Sequence, residues 1–276
     1  MKNVLTIDVE DYFHSTALSG VVKRDDWSVY PSRVVDNTHR LMDILDRFDS
    51  RATFFVLGWV AERFPMLVRE ISDRGHEVAC HGFGHRFVHE MNPDEFRNDV
   101  RFAKDTLEDI IGRSVLGYRA PNYSITPESM WALDILIDEG FKYDSSLYTY
   151  DYTDGGVPHV IQAGGGALIE FPPSAIMLAL VKKPVLIPFA QGFWFRLLPS
   201  MFICNRLRHI HSVDNRVGML ALRSWDIDPG QPKIDVPAMQ RLKQYYNIHF
   251  VELKLRRILS DVKFCTVARA LCLNAA

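Results

Sequence analysis

Two short stretches of this chain hold residue types and spacings from which a reaction can be built. His81-Gly82-Phe83-Gly84-His85 sets two imidazoles four positions apart, so both can reach one metal ion from a helical turn or a compact loop. Alone the pair says little, because two histidines so spaced arise by chance and a solvated or backbone-bonded pair is the plainer reading. The second stretch, Asp8-Val9-Glu10-Asp11, ends an apolar run with three acids in four residues. Acids so crowded repel one another unless a cation lies among them. Two histidines and one carboxylate hold a divalent ion with positions left open for water and substrate, the arrangement a metal-assisted hydrolase needs.

Those residues must be brought together by the elements between them. Asn3 to Asp8 reads as a buried strand, Val34 to Phe48 as an amphipathic helix, Ala52 to Leu57 as a second strand, and Trp59 to Arg74 as one helix stopping at Gly75. Glu77 to Cys80 is the next strand. Asn92, Pro93, Asp94 and Glu95 open a helix that runs to Ile111 and stops at Gly112. Ser114 to Tyr118 is extended, Thr126 and Pro127 open a helix ending near Gly140, and Phe141 to Tyr143 is extended again. Beyond a Tyr-, Asp- and Gly-rich loop from Tyr148 to Gly166, Ile169 to Pro173 and Gly218 to Leu222 read as strands. Asn247 to Leu259 follows as a helix and Lys263 to Val267 as a last extended run. Repeated strand-helix order predicts an α/β fold with a parallel sheet or barrel, whose chemistry sits at the C-terminal strand ends. The polar residues fall there. Asp8, Glu10 and Asp11 follow the first strand, His81 and His85 the third, and Arg119 the fourth.

Composition narrows the partners. The 276 residues are 47% hydrophobic and 24% charged, which excludes a disordered, collagenous or disulfide-stapled chain. Lys and Arg number 32 against 34 Asp and Glu, a net charge of −2 that does not suit a nucleic-acid binder. Cys80, Cys204, Cys265 and Cys272 are scattered, which with an N-terminus lacking signal-peptide character predicts a reducing, cytoplasmic setting. The most apolar tract, Ser174 to Ile203, is interrupted by Lys182, Lys183, Pro184, Pro188 and Arg196. A spanning helix needs roughly 20 uninterrupted apolar residues, so no transmembrane segment is predicted. Ile176 to Leu198 is read first as core, and peripheral contact with a membrane or lipid carrier is the alternative.

Thr6-Ile7-Asp8, His81-x-x-x-His85 and Arg119-Ala120-Pro121 resemble, in order and rough spacing, the first three motifs of polysaccharide deacetylases, the NodB-homology domain of carbohydrate esterase family four. DVEDYFH, HGFGHR, GYRAPNYSI, GFKYDSSLY and WDIDPGQP further resemble the subgroup associated with bacterial exopolysaccharide and exosortase loci. The resemblance runs from about Asp8 to the C-terminal helix. It implies one domain over residues 1–276, a distorted (β/α) barrel whose part from roughly 150 to 276 is a subgroup-specific C-terminal extension. It further implies metal-dependent removal of an N-acetyl group from an amino sugar. Asp8 then falls on the general base, and His81 and His85 on metal ligands. The third ligand stays open: Glu10 shares the strand face of Asp8 if the chain remains extended, whereas Asp11 serves if it turns first. Arg119 would hold Asp8 ionised, Pro121, Asn122 and Tyr123 would line the pocket and offer an oxyanion donor, Asp144 would support them, and Trp225 would form a wall. Zinc is the first choice of metal, with cobalt, nickel and iron as alternatives.

Two departures touch the expected pocket. Relatives carry Leu-His-Pro-Trp where this chain reads Leu222-Arg223-Ser224-Trp225, and a glycine run where it reads Ala190-Gln191-Gly192-Phe193-Trp194-Phe195. The missing histidine is the relatives' general acid, and a guanidinium with a pKa above about 12 cannot replace it in kind. The preferred reading remains an active hydrolase with another proton donor, such as His14. A non-hydrolytic glycan- or partner-binding descendant is the alternative. A hydrolase of another amide, such as a formamide, with Arg223 recognising a carboxylate or phosphate, is the third. A cytoplasmic enzyme of this kind would act on a nucleotide-linked or lipid-linked sugar before export.

Overall fold

The computed structural model describes residues 2–147, 157–163, 165–178, 185–212 and 216–273. Of the expected Tyr148 to Gly166 loop, residues 148–156 and 164 lie outside them, as do Lys182 and Lys183, while His159–Ala163 is a strand and not loop, because it pairs with the strand that begins at Gly166. Eleven strands are present among the described residues: β1 (Asn3–Val9), β2 (Thr53–Val56), β3 (Glu77–Cys80), β4 (Gly117–Tyr118), β5 (Tyr143–Asp144), β6 (His159–Ala163), β7 (Gly166–Glu170), β8 (Ile176–Leu178), β9 (Val185–Ile187), β10 (Met219–Arg223) and β11 (Phe264–Cys265). The helices are α1 (Val34–Arg47), α2 (Gly58–Arg63), α3 (Pro65–Asp73), α4 (Pro93–Ile111), α5 (Trp131–Asp138), α6 (Gly192–Leu197), α7 (Ser200–Ser212), α8 (Ala238–Tyr245), α9 (Val251–Asp261) and α10 (Val267–Ala270). Nine strands form one sheet in the order β10-β1-β2-β3-β4-β5-β7-β6, with β11 also pairing β1. All its pairings are parallel except β6 with β7, and β8 with β9 makes a separate antiparallel hairpin. The sheet is a barrel-like arc, wrapped outside by helices, that stays open between β10 and β6 among the described residues.

Alternation along the strands sorts side chains to the two faces. Leu5, Ile7, Val9, Phe54, Val56, Val78 and Cys80 pack outward into the helical layer, while Val4, Phe55, Ala79, Tyr143, Met219 and Ala221 fill the inside of the arc. Because β1 is covered on both faces, it reads as a nearly unbroken apolar run. The inward parity carries Thr6 to Asp8, Ala79 to His81 and Ala221 to Arg223. The chemistry-bearing residues are therefore the last members of inward-facing rows. Register aligns them: Asp8 lies opposite Arg223 on one side and Phe55 on the other.

Several boundaries differ from the sequence expectation. The single helix over Trp59 to Arg74 is two, because Pro65 blocks helical geometry at Phe64, whose φ/ψ is −132/58. The segment opened by Thr126 is a short 3₁₀ turn before α5, and the Asn247 helix begins as a 3₁₀ turn before α9. Helix α4 matches its signals: Asn92 and Glu95 cap each other's backbone N–H groups, and Gly112 closes it at φ +68.

The floor of the barrel is closed by polar ties. Glu77 accepts from Tyr143 Oη at 2.8 Å, Thr53 Oγ1 at 2.6 Å and the Ala268 N–H at 3.0 Å, seating α10 beneath the sheet. Gly117 is what lets Tyr143 lie there, since a Cβ at that position would fall 1.9 Å from the ring. Gly117→Ala should therefore destabilise the fold by about 1–3 kcal/mol, measured by denaturant unfolding.

Candidate functional site

Beyond β1 the chain keeps its parity for one more inward residue and then turns. Glu10 is fixed through its backbone: its N–H donates to Ser224 Oγ at 3.1 Å, and that hydroxyl donates back to the Glu10 carbonyl. Its side chain takes the Trp225 Nε1–H at 3.0 Å on Oε1, while Oε2 lies 2.8 Å from His85 Nε2. Oε2 is buried yet has no hydrogen bond of proper geometry. The His81 Nδ1–H points at the Arg119 carbonyl 2.8 Å away, which leaves Nε2 as the free lone pair. One ligand atom from each of Glu10, His81 and His85 lies within 4.8 Å of the others. A buried, unbonded carboxylate oxygen and two imidazoles fit a divalent transition-metal ion. Burial alone would raise Glu10, but the neighbouring His85 overrides it and brings the carboxyl down to about 2.

Asp11 is used elsewhere. Its carboxylate accepts from the N–H groups of Arg33 (2.9 Å) and Val34 (3.2 Å) and from Ser32 Oγ (2.6 Å), capping the otherwise unsatisfied N-terminus of α1. Of the two carboxylates left open by the sequence, Glu10 faces the histidines and Asp11 faces away.

Asp8 stands beside this triad with its side chain 13% exposed to the cavity. Arg119, wholly buried, donates from Nη1 to Asp8 Oδ1 at 2.8 Å and to Thr6 Oγ1 at 2.9 Å, and from Nη2 to Ser145 Oγ at 3.0 Å. Its guanidinium also stacks 4.1 Å from the centre of the Phe55 ring. The next turn is strained: Asn122 and Tyr123 have φ of 52 and 55. Such left-handed pairs persist where surrounding contacts hold them. Here Thr16 Oγ1 donates to Asn122 Oδ1 and Tyr123 Oη donates to Gln191 Oε1 at 2.6 Å. Tyr123 N–H is taken by the Ala120 carbonyl at 3.0 Å.

A cavity of about 660 Å³ opens over these groups, lined by Asp8, Glu10, His81, His85, Asn122 and Tyr123 and walled by Gln191, Phe193, Trp194, Arg223, Met239 and Lys243. Three residues expected to contact or support the substrate pocket do not line it. Trp225 is buried behind Glu10 and orients it instead of forming a wall. Pro121 is buried behind the turn. Asp144 lies below, accepting from Ser146 Oγ, which in turn accepts the Ala120 N–H at 2.8 Å. Asp144 therefore braces the Arg119 loop without reaching the cavity. Burial raises both Asp144, to about 6, and its neighbour Glu170, well above the carboxylate range.

His14 lines a smaller adjoining cavity of about 290 Å³. Its Nδ1 accepts the Asp11 N–H at 2.9 Å, and burial, with His85 nearby, drives it well below 6.5. A ring held neutral has no extra proton for a departing amine, which removes His14 as the replacement acid.

The sequence reading missed Ser224 as the anchor of Glu10 and the whole contribution of α8. Arg196 agrees with the core reading of its tract and not with the membrane-facing alternative: the guanidinium is 1% exposed and donates to the Lys243 and Gln244 carbonyls. The Gln191 segment, expected at the pocket because it departs from relatives, does line the cavity. A bridge from Gln191 to Ala221 lays it along β10.

Residues 25–136 match the family described as polysaccharide deacetylase, and residues 145–272 match a domain of unknown function (DUF3473). A peptidoglycan deacetylase-like protein of Gibberella zeae is 33% identical over 175 residues, 60% of this chain and 49% of that one. A peptidoglycan-N-acetylglucosamine deacetylase of Bacillus cereus is 32% identical over 98 residues, 35% of this chain and 36% of that one. The chain thus spans less than half the length of these curated relatives. A Mycobacterium smegmatis crystal structure assigned to the polysaccharide deacetylases superposes with a TM-score of 0.63 at 21% identity, covering 98% of this chain and 91% of that one. This last likeness is one of fold: a mostly parallel, barrel-like α/β arrangement is shared.

The separation of Glu10 from Asp11 is testable. Asp11→Ala should lower unfolding stability by about 1–3 kcal/mol while leaving the metal content of the folded protein unchanged. Glu10→Gln should do the reverse, losing metal with little change in the apo-protein's stability, as read by elemental mass spectrometry beside denaturant unfolding.

Proposed function

We propose that this chain, whose residues 25–136 belong to the polysaccharide deacetylase family, is a metal-dependent hydrolase that removes an N-acetyl or similar acyl group from an amino sugar. The observation that carries the reading is the convergence of an Arg119-held carboxylate, Asp8, with the Glu10, His81 and His85 triad over one cavity. The named activities of the relatives support it.

Glu10, His81 and His85 would hold the ion, zinc first and cobalt, nickel or iron as alternatives. When bound, such an ion polarises an amide carbonyl and makes water more acidic. The chain's own residues supply the rest. Asp8, its orientation fixed by Arg119, takes a proton from the attacking water as the new C–O bond forms. The Asn122 N–H, on the turn that lines the cavity, would donate to the oxygen on which charge develops. As the C–N bond breaks, the proton held by Asp8 passes to the departing nitrogen, which leaves as a neutral amine while the acyl group leaves as its acid. One carboxylate acting first as base and then as acid needs no histidine at position 223.

An exopolysaccharide precursor, carried on a nucleotide or lipid in the cytoplasm, is the substrate setting within this proposal. Four free cysteines support a reducing compartment, and no helix among the described residues is long and apolar enough to cross a membrane.

With zinc restored after chelation, the protein should release acetate from at least one member of a panel of acetylated amino sugars that spans neutral chitooligosaccharides and phosphorylated or carboxylated N-acetylglucosamine, and chelator alone should abolish release. Asp8→Asn should keep the metal and lower kcat about 10²- to 10⁴-fold. Asn-variant turnover equal to the wild type would remove Asp8 as the proton carrier.

A further inference from the structure

Arg223 ends β10 directly opposite Asp8, and its side chain is held on three sides. Nε donates to Asp226 Oδ2 at 3.3 Å, the guanidinium lies 4.1 Å from the centre of the Trp225 ring, and Gly192 backs Nη2 closely enough that a Cβ there would sit 3.5 Å away. Neither terminal nitrogen has a hydrogen-bond partner among the described residues, and the side chain is 23% exposed, into the cavity it lines. A planar, permanently charged fork with its stem clamped and its tips free matches the paired oxygens of a carboxylate or phosphate.

The surrounding charges favour the same ligand. Arg119 is answered by Asp8, and the single carboxylate of Asp226 is shared between Arg223 at 3.3 Å and Arg196 at 3.8 Å. Glu10 is the remaining anion facing Arg223, and it is also the carboxylate turned to the histidines. Once a divalent ion occupies the triad, Glu10 is shared with it, and Lys243 at the rim adds another cation. The loaded cavity therefore carries an excess of positive charge, which a neutral sugar leaves unmatched. Its volume, about 660 Å³, exceeds what an acetamido group alone requires and leaves space for a charged substituent.

We infer that Arg223, with Lys243 at the rim, forms an oxyanion subsite, so that the acylated amino sugar taken by this site bears a carboxylate or a phosphate. The sugar in this statement rests on the hydrolase reading; the anion subsite does not. Arg223 is a specificity residue here: it grips the substrate's charge and plays no part in proton transfer.

The test is titration calorimetry of the zinc-loaded protein with three probes: N-acetylglucosamine 1-phosphate, N-acetylglucosaminuronic acid, and the neutral methyl glycoside of N-acetylglucosamine. The wild type should bind one anionic probe about tenfold or more tightly than the neutral one. Arg223→Gln should erase most of that preference, and Arg223→Lys, which keeps charge but loses the fork, should retain an intermediate share. Any affinity of the anion for zinc is common to all three proteins, so only the change in preference counts, and thermal unfolding of the zinc-loaded variants checks that each is folded. Preference for the phosphate points to a nucleotide- or lipid-linked sugar, and preference for the uronate to a carboxylated one. A wild type without preference, or an Arg223→Gln protein that keeps it, overturns the subsite. Arg223-dependent binding without acetate release from any acetylated sugar overturns the hydrolase reading and leaves the subsite standing.

Discussion

The ion pair between Asp8 and Arg119 is the contact on which the top of the barrel depends. Arg119 is fully enclosed, and taking a guanidinium out of water costs several kcal/mol unless its donors are answered. Asp8, Thr6 and Ser145 answer it, and Phe55 supplies an aromatic face. These partners come from β1, β2 and the segment after β5, so satisfying one buried cation fixes three parts of the sheet relative to one another. The same arrangement places the Arg119 carbonyl where it sets the tautomer of His81. Removal of Asp8 would strand the buried charge of Arg119, and the orientation that the Arg119 carbonyl gives His81 would be lost with it.

Much of this was legible because strand parity and strand ends are simple rules. Asp8, His81, Arg119 and Arg223 lie at or just past the ends of strands, and a parallel sheet carries such residues to one rim. What was not legible depends on contacts distant in sequence. Whether Glu10 or Asp11 faces the histidines is decided by Ser224, 214 residues away from Glu10, and by the unsatisfied N-terminus of α1. Trp225, Pro121 and Asp144 act from behind the cavity for the same reason: motif membership identifies a neighbourhood, not the direction a side chain takes. His14 was a plausible acid by type, and only its burial and the Asp11 N–H show that its ring is held neutral. Pro65 was a local signal, and it splits the helix that the apolar periodicity made continuous.

The site is assembled from both halves of the chain. His81, His85 and Arg119 fall within the deacetylase match, Asp8 and Glu10 precede it, and Arg223 with the walls from α6 and α8 belongs to the region of unknown function. In the proposed reading, the reacting centre and the surface that would select what reaches it thus come from different regions of the chain.

The central claim is that Glu10, His81 and His85 jointly bind one ion, and crystallography of the zinc-loaded protein with anomalous data at the zinc edge tests it most directly. The account predicts a single strong peak within coordination distance of one Glu10 oxygen and of the two Nε2 atoms, with Asp11 still bonded to the start of α1. A peak held by Asp11, or no peak at the triad with zinc in excess, would contradict it.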